Sequence, residues 1–233
     1  MSTIADRLER VWSRISQAAN AAGRDPACIR LLAVSKTQPV AKLEAALAAG
    51  QTVFGESYLQ DALPKIEAIG TRAEWHFIGP IQSNKTRQIA AHFDWVHSVD
   101  RIKIAQRLSE QRPRELPPLN VCLQVNISAE ATKAGAPPAD IRALAEAINK
   151  LPHLRLRGLM AIPAREQDPT RQRQSFHELR RLFEQLNTEG FNLDTLSMGM
   201  SSDMEAAIAE GATLVRIGTA IFGPRLTRST DNP

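Results

Sequence analysis

The sequence of 233 residues is poor in the features that mark several classes of protein. It holds only two cysteines, Cys28 and Cys122, so a disulfide scaffold is excluded and a zinc site of Cys and His residues has no support. It contains no apolar run of about 18 residues, and its charged N-terminus lacks the apolar core of a signal peptide. We therefore expect no membrane association, no bound metal and a cytoplasmic location.

Aromatic residues make up only 5% of the chain, and seven lysines stand against 22 arginines. Two arginine-rich stretches, 101–114 and 171–181, contain apolar residues at helical spacing. Nucleic-acid-binding proteins usually combine such charge with exposed aromatic residues or a known binding motif. We interpret both stretches as solvated outer faces of helices and expect no nucleic-acid partner.

What the chain does contain is a regular alternation of helical and apolar segments. An amphipathic helix is predicted over residues 2–22, with Ser2 or Thr3 as its cap and Gly23 as its end. Beyond it, eight short apolar segments, separated by helical stretches, are predicted as strands: 29–36, 52–57, 74–79, 95–99, 119–127, 154–162, 195–200 and 213–221.

This alternation indicates right-handed βαβ units and therefore a parallel sheet. Eight units in a chain of this length suit a closed (β/α)8 TIM barrel, whose usual size is about 250 residues. A doubly wound open sheet is the alternative, but no GxGxxG motif follows a predicted strand. Since no linker divides the chain, we expect one α/β domain over residues 1–233, with the barrel over about 29–225.

Lys36 ends the first predicted strand, and barrels of this kind place their chemistry at the C-terminal ends of strands. The other lysines fall in predicted helices or loops. A lysine that follows an apolar strand can be partly desolvated, and its amine then serves as a nucleophile. A surface lysine at the start of a loop is the alternative, and position alone leaves both open.

The ends of strands seven and eight carry residues suited to binding phosphate, which barrels often hold there. Ser202 and Glu205 form a predicted capping box, so that Ser201 and the first N–H groups of the helix make an anion site. Gly218 allows close approach of the backbone, and Thr219 adds a hydroxyl. We expect a phosphate cup here, with plain packing of strand and loop as the alternative.

Arg216 lies inside an apolar strand, where an unpaired guanidinium is costly. It precedes Gly218 by two residues, so both are expected on one face of the strand. An ion pair with a carboxylate such as Glu56 is the alternative. A lysine amine, a phosphate cup and a buried arginine together suggest a phosphorylated aldehyde such as pyridoxal 5'-phosphate, or a sugar phosphate on an aldolase-type lysine.

Six motifs are typical of a known family: LLAVSKTQP, VFGESYLQDA, WHFIGPIQSNKTR, VNISAEATKAG, LRGLMAIP and LSMGMSSDMEAAIAEGATLVRIGTAIFG. With them the chain resembles the YggS/PROSC family of pyridoxal phosphate homeostasis proteins. The match runs from about residue 4 to residue 225, in the same order and spacing. The family in turn resembles the barrel domain of alanine racemase. The resemblance implies that Lys36 holds the cofactor as a Schiff base, that Ser201, Gly218 and Thr219 bind its phosphate, and that Arg216 faces the pyridine nitrogen.

Met200 and Ser57 complete the predicted binding set, and Ser57 is one of two departures from the family pattern. Ser57 stands where the family commonly has Asn, and Pro80 where it often has His. Ser57 could still donate a hydrogen bond to the ring hydroxyl, although with a shorter reach. Lys133, in the loop after strand five, is a candidate second acceptor of the aldehyde during transfer.

The same residues favour a carrier over a catalyst. An arginine at the pyridine nitrogen leaves that nitrogen unprotonated, so the cofactor withdraws electrons weakly. The family of racemases adds a tyrosine from a second domain, whereas few residues follow FGPR here and Tyr58 is the only tyrosine. We expect a monomer that binds pyridoxal phosphate and passes it to apo-enzymes, with no catalytic residues; a racemase-like or decarboxylating enzyme is the alternative.

Overall fold

A barrel of parallel strands forms the centre of the protein in a computed structural model, which describes residues 2–128, 134–164, 166 and 168–224. The strands pair in chain order, and β1 also pairs with β8, which closes the barrel and confirms the predicted fold. Their bounds are β1 Arg30–Val34, β2 Val53–Glu56, β3 Glu74–Phe77, β4 Trp95–Val99, β5 Leu119–Gln124, β6 Leu154–Met160, β7 Thr195–Ser197 and β8 Leu214–Ile217.

Helices follow the strands and pack around the outside of the barrel. Their bounds in the described residues are α1 Ile4–Ala21, α2 Val40–Ala48, α3 Leu59–Ile69, α4 Thr86–His92, α5 Ile102–Gln111, α6 Pro138–Asn149, α7 Pro169–Thr188, α8 Met204–Ala209 and α9 Thr219–Phe222. In the part of the chain that the structure describes, no helix is both long and apolar enough to cross a membrane.

The N-terminal helix α1 lies outside the eight repeating units and covers one side of the barrel. Thr3 caps it, because its hydroxyl accepts from the Asp6 N–H while the Asp6 carboxylate accepts from the Thr3 N–H. The apolar face of α1 packs against α2, α8 and α9 through the buried residues Leu8, Val11, Ile15 and Ala19. The predicted amphipathic helix is therefore present, with bounds shorter than 2–22.

Most strands end earlier than the sequence pattern predicts, and the largest difference is in β8. The predicted strand ran over 213–221, whereas β8 ends at Ile217 and Gly218 is the N-cap of α9. A one-turn helix of apolar residues such as TAIF is too short to show a helical period, so it reads as a continuation of the strand. This correction places Gly218 and Thr219 in the turn from strand to helix.

The predicted capping box of Ser202 and Glu205 is wrong. The N-cap of α8 is Asp203, which makes no side-chain cap bond and whose carboxylate accepts from the Met200 N–H at 2.5 Å. Glu205 instead forms an ion pair with Arg14 of α1 at 2.7 Å. The anion site expected at this helix therefore depends on the loop before it and on the start of α9.

The interior of the barrel is more polar than usual for this fold, which typically fills it with branched aliphatic residues. A large apolar core lies between strands and helices, while Trp95, Cys122 and Met160 form a small separate cluster. Among the described residues, the strands contribute His76, His97, Ser197 and Arg216 as buried polar groups inside the barrel, while the buried Glu56 of β2 faces Lys65 on the outer helix α3. Two connected groups of these polar side chains reach the C-terminal end of the barrel.

Candidate functional site

A cavity of about 760 Å³ opens at the C-terminal ends of the strands. All of the predicted site residues line it: Lys36, Ser57, Met200, Ser201, Arg216, Gly218 and Thr219. They come from distant parts of the chain and meet because parallel strands present their C-terminal ends at one face. The role of each residue in binding a ligand stays a prediction.

Lys36 lies in a tight turn immediately after β1 and is half-buried. The next residue, Thr37, has a φ of 63°, a left-handed conformation that is strained for a β-branched residue. The Thr37 N–H donates to the Asp61 carboxylate at 2.7 Å, and the Gln38 N–H closes the turn on Ser35 O at 3.0 Å. The backbone on both sides of Lys36 is therefore held by hydrogen bonds.

Asp61 belongs to a buried group of residues beneath this turn, which we call the lysine cluster: Ser35, Glu56, Asp61 and Lys65. Lys65 Nζ donates to Ser35 O at 2.9 Å, to Glu56 Oε1 at 2.9 Å and to Asp61 Oδ2 at 2.8 Å. Burial raises the pKa of Glu56, with Lys65 acting against that shift. Sequence reasoning missed Lys65, because a lysine on an outer helix resembles a surface residue.

The predicted phosphate cup consists of the loop after β7 and the start of α9. In the loop, the Met200 N–H binds the Asp203 carboxylate, and Arg14 donates to Ser201 O at 3.3 Å. At α9, the N–H groups of Ile221 and Phe222 bond to Gly218 O, whereas the preceding N–H groups of the helix have no acceptor within it. A side chain at position 218 would press a Cβ to 3.1 Å from Val34 O, which explains the glycine.

Arg216 is buried, and its partners are oxygens of the barrel. Nη1 donates to Ser197 O at 2.6 Å and to Ser197 Oγ at 2.9 Å, and Nη2 donates to Ala161 O at 2.9 Å. Burial lowers the pKa of Arg216 to about 10, and the charge of Asp203 acts against that shift. The alternative of an ion pair between Arg216 and Glu56 is wrong, because Glu56 is paired with Lys65.

Comparison with known proteins now assigns the family. Residues 6–225 match the family model described as "Alanine racemase, N-terminal domain". The chain is 64% identical over 226 residues to a pyridoxal phosphate homeostasis protein of Pseudomonas aeruginosa, which covers 97% of both chains. The chain belongs to the pyridoxal phosphate homeostasis protein family. A member from Escherichia coli is 54% identical over 229 residues, covering 97% of this chain and 98% of the other.

Solved structures agree with this family assignment, and the resemblance inferred from the motifs is confirmed. PipY of Synechococcus elongatus, solved with PLP bound, is 36% identical with a TM-score of 0.82, over 95% of this chain and 100% of the other. Alanine racemase of Corynebacterium glutamicum has a TM-score of 0.67 at 18% identity, over 96% of this chain and 63% of the other. At that identity the likeness to the racemase concerns the fold alone.

The two departures from the family pattern differ in their positions. Ser57 lines the cavity, and its backbone approaches so closely that a Cβ on Gly79 would lie 2.1 Å from Ser57 O. Pro80 is exposed and lies outside the lining, so its departure from histidine changes no wall of the cavity. Tyr58 also lies outside the lining and is 55% exposed at the start of α3.

Several lining residues escaped sequence reasoning. Asp203 lines the cavity, and burial raises the pKa of its carboxyl group. Gln38 follows Lys36, and Glu166 and Gln172 come from the segment after β6, whose pattern carries no signal for a site. Lys133, the candidate second acceptor, lies outside the described residues. Within those residues, no cluster of His, Cys, Asp or Glu side chains is arranged to hold a metal ion.

Proposed function

We propose that this protein binds pyridoxal 5'-phosphate in the cavity and takes part in the homeostasis of that cofactor. The observation that carries the proposal is the meeting of a lysine, a buried guanidinium and a glycine-containing turn in one cavity. Its volume falls within the range of about 300–1,000 Å³ that is usual for ligand pockets. The family relatives, which are pyridoxal phosphate homeostasis proteins, and the PLP-bound structure of PipY support the choice of ligand.

The described residues fit each part of the cofactor. Ser201, Gly218 and Thr219 offer hydroxyl and backbone N–H groups to a phosphate. Arg216 retains one Nη2 hydrogen and the Nε hydrogen beyond its bonds to the barrel, and both are donors suited to an unprotonated ring nitrogen. Ser57 supplies a hydroxyl to the same wall of residues that includes Lys36.

Lys36 is the proposed covalent anchor. Its amine would attack the aldehyde carbon, a carbon–nitrogen double bond would form, and the aldehyde oxygen would leave as water. When bound, the cofactor supplies an aldehyde and an electron-withdrawing ring. Lys36 would hold it, while the lysine cluster keeps the surrounding turn in place.

We further propose storage and transfer of the cofactor to apo-enzymes, without robust turnover. Donors from Arg216 would leave the ring nitrogen unprotonated and the cofactor a weak electron sink. A two-base racemase also needs a second base, and the described lining of the cavity contains no tyrosine. Residues 1–233 would act as one cytoplasmic domain and as a monomer.

The direct test is the absorption spectrum of the purified protein with added pyridoxal phosphate. We expect a yellow band that borohydride removes, with pyridoxyl found by peptide mass on Lys36. Lys36→Ala should abolish the band, whereas Lys103→Ala, at an exposed position of α5, should leave it unchanged. An unchanged band in Lys36→Ala would refute Lys36 as the anchor, and a sugar adduct on that lysine would favour the aldolase-type alternative.

Separate measurements test the carrier role. Light scattering should give the mass of one chain. Protein loaded with pyridoxal phosphate should activate an apo-enzyme when the two are mixed directly. Exchange of the α-proton of amino acids for deuterium should not exceed the rate with free cofactor. Exchange well above that rate would replace the carrier proposal by the racemase-like alternative.

A further inference from the structure

A second group of polar residues crosses the interior of the barrel, and the proposed function does not use it. We call it the histidine column: Glu74, His76, His97 and Ser197. His76 Nε2 lies 2.5 Å from Glu74 Oε1, and His76 Nδ1 lies 2.8 Å from His97 Nε2. His97 Nδ1 lies 2.8 Å from Ser197 Oγ, which in turn accepts from Arg216 at 2.9 Å. The column thus connects a carboxylate at the start of β3 with the guanidinium at the cavity.

With Glu74 ionised and both rings neutral, only one arrangement of hydrogens satisfies every contact of the column. The Glu74 carboxylate only accepts, so His76 carries its hydrogen on Nε2 and leaves Nδ1 as an acceptor toward His97. At the cavity end, Ser197 Oγ accepts from Arg216 and its own hydrogen is directed at His97 Nδ1. His97 therefore carries its hydrogen on Nε2 and donates it to His76 Nδ1. At the other end, the Glu74 carboxylate also accepts from Arg30 Nη2 at 2.7 Å.

The same reasoning fixes the hydrogen of His76. Because His76 Nδ1 accepts from His97, its hydrogen lies on Nε2 and points at Glu74. All donors of the column are consequently directed away from the cavity and toward Glu74. In this arrangement a second hydrogen on His76 would place two donors against each other at the contact between the rings, so His76 is neutral. Burial and the nearby cations Arg216 and Arg30 disfavour protonation of His97.

The surroundings of both rings agree with this assignment. Both are fully buried, and burial lowers the pKa of both imidazoles. Glu74 and Asp94 act on His76 in the opposite sense, whereas Arg30 acts with burial. His97 faces His76, Arg216 and Arg30, which all disfavour its protonation. Trp95 stacks on His76 with ring centroids 5.2 Å apart.

We propose that the histidine column is a positioning relay, which fixes the orientation of Arg216 and makes this end of the cavity a pure hydrogen-bond donor. Ser197 takes both hydrogens of Arg216 Nη1, through its carbonyl and its hydroxyl. The hydroxyl can accept well because its own hydrogen is committed to His97. This inference rests on the proposed function only in naming the ligand that Arg216 would meet.

The first test needs no cofactor, because nitrogen NMR of histidine-labelled protein reports the position of each ring hydrogen. We expect the hydrogen on Nε2 in both His76 and His97, and neutral rings from about pH 8 to pH 6. Ser197→Ala should shift the Nδ1 signal of His97, and Glu74→Gln should shift the Nε2 hydrogen of His76. A hydrogen on Nδ1 of His97, or a protonated His97 at neutral pH, would overturn the relay.

The second test measures affinity for pyridoxal phosphate by titration of the full chain. Loss of a hydrogen bond to a charged group predicts about tenfold weaker binding for Ser197→Ala. Ser109→Ala, a buried serine of α5 that makes no contact with the column, should bind as the wild type does. Glu74→Gln keeps an acceptor at a partly exposed position and should weaken binding less.

The outcomes separate the two proposals. If the wild type fails to bind the cofactor, the proposed function fails, while the NMR test still decides the relay. If Ser197→Ala binds as tightly as the wild type although the His97 signal has moved, the positioning role is refuted and the proposed function stands. If Ser197→Ala does not fold, Glu74→Gln provides the same comparison, and unchanged affinity together with unchanged His76 signals refutes the relay.

Discussion

The lysine cluster and the histidine column lie beside the same cavity, yet they use opposite electrostatic arrangements. In the lysine cluster, charges are in direct contact: Lys65 Nζ lies 2.9 Å from Glu56 and 2.8 Å from Asp61. In the histidine column, charges stand only at the two ends, Glu74 and Arg216, and neutral rings fill the interval. The lysine cluster holds the backbone around Lys36, whereas the histidine column orients the side chain of Arg216.

This difference reflects what each predicted cofactor-binding residue requires. Lys36 needs a fixed turn and a reactive amine, and the cluster bonds to the backbone of Ser35 and Thr37 next to it. Arg216 needs a fixed direction in a buried site, and carbonyls and a hydroxyl provide that direction without a carboxylate beside the ligand. A cluster of buried charges is stable only while every partner is present, whereas a column of neutral histidines is stable only while the pH keeps the rings unprotonated. Substitution of one partner should therefore disrupt the lysine cluster, and acid should disrupt the histidine column.

The largest effect is expected when the lysine cluster loses its cation. Lys65→Met leaves the fully buried Glu56 carboxylate without its counter-charge, and breaking a buried pair in this way typically costs about 3–5 kcal/mol. We expect a loss of that size in the free energy of unfolding, measured by urea denaturation at neutral pH. Lys103→Met, at an exposed position, serves as the matched control and should change it by less than about 0.5 kcal/mol.

A double variant sharpens this result. Lys65→Met combined with Glu56→Gln removes both buried charges, so part of the lost stability should return. A loss below about 1 kcal/mol in Lys65→Met would mean that Glu56 is protonated in the native protein and that the cluster is no ion pair.

The histidine column should make stability depend on pH between about 6.5 and 5.5. Because burial lowers the pKa of His76 and His97 in the folded chain, the unfolded chain binds more protons below about pH 6.5. Stability is therefore fully present above that pH and is lost as the pH falls. Each ring can contribute at most about 1.4 kcal/mol per pH unit, so the two rings together set an upper limit of about 3 kcal/mol per pH unit on this slope, measured by urea denaturation at several pH values.

Comparison of variants isolates this contribution, since Glu56, with its raised pKa, acts with the opposite sign in the same measurement. His97→Gln should remove about half of the slope. His92→Gln, on the exposed side of α4, should leave the slope unchanged. Equal slopes in wild type and His97→Gln would show that His97 is protonated in the folded chain or titrates as it does in the unfolded one.

Sequence patterns predicted the barrel and the residues that line the cavity, but they did not predict the lysine cluster or the histidine column. The eight βα units follow from alternating periods, Lys36 and Gly218 from their places toward strand ends, and Arg216 from its charge inside an apolar strand. The histidine column depends on which residues of β3, β4 and β7 meet inside the barrel, and local patterns carry no information about such contacts. His97 and Ser197, for example, are a hundred positions apart in the sequence, yet His97 Nδ1 lies 2.8 Å from Ser197 Oγ.

The same limit explains the errors in the loops. The helix α8 begins one residue later than the capping box of Ser202 predicts, with Asp203 as its N-cap, and the Asp203 carboxylate turns back to accept from the Met200 N–H. Local sequence does not reveal which of the two residues ends the loop. Lys65 was passed over, because the spacing of an amphipathic helix does not reveal that a buried carboxylate of β2 lies opposite.

A smaller effect is expected at the exposed end of the histidine column. Against the effect of burial, hydrogen bonds from His76 and Arg30 lower the pKa of Glu74 to about 2, so its contribution to stability is present above about pH 4.5 and is lost as the pH falls toward 2. Because the Glu74 side chain is 37% exposed, solvent screening reduces the expected contribution to about 1 kcal/mol. Glu74→Gln should therefore be less stable than the wild type at neutral pH and equal to it near pH 2.

The exposed residue Glu110 provides the control, because Glu110→Gln should be as stable as the wild type at both pH values. A difference between wild type and Glu74→Gln that persists at pH 2 would assign the effect to packing of the side chain instead of its charge.

The smallest effect is expected at the strained turn, where the lysine cluster opposes a local preference of the backbone. Thr37 is left-handed, and its buried hydroxyl has no hydrogen-bond partner among the described residues. Thr37→Gly removes both costs but adds about 0.5–1 kcal/mol of backbone entropy, so stability should rise by no more than about 1 kcal/mol. Asn192→Gly, at an exposed position with a φ of 55°, should change it less, since Asn tolerates this conformation.

Binding should move in the opposite direction from stability in Thr37→Gly. A glycine beside Lys36 loosens the turn that the Asp61 carboxylate holds, so uptake of pyridoxal phosphate should slow by a few-fold while Asn192→Gly takes it up normally. If Thr37→Gly were destabilised by more than about 1 kcal/mol, the native turn would carry no strain at Thr37. In that case the turn would adopt its conformation without help from the lysine cluster. A gain in stability with slower uptake would instead mean that the cluster imposes the strained conformation and that this conformation positions Lys36.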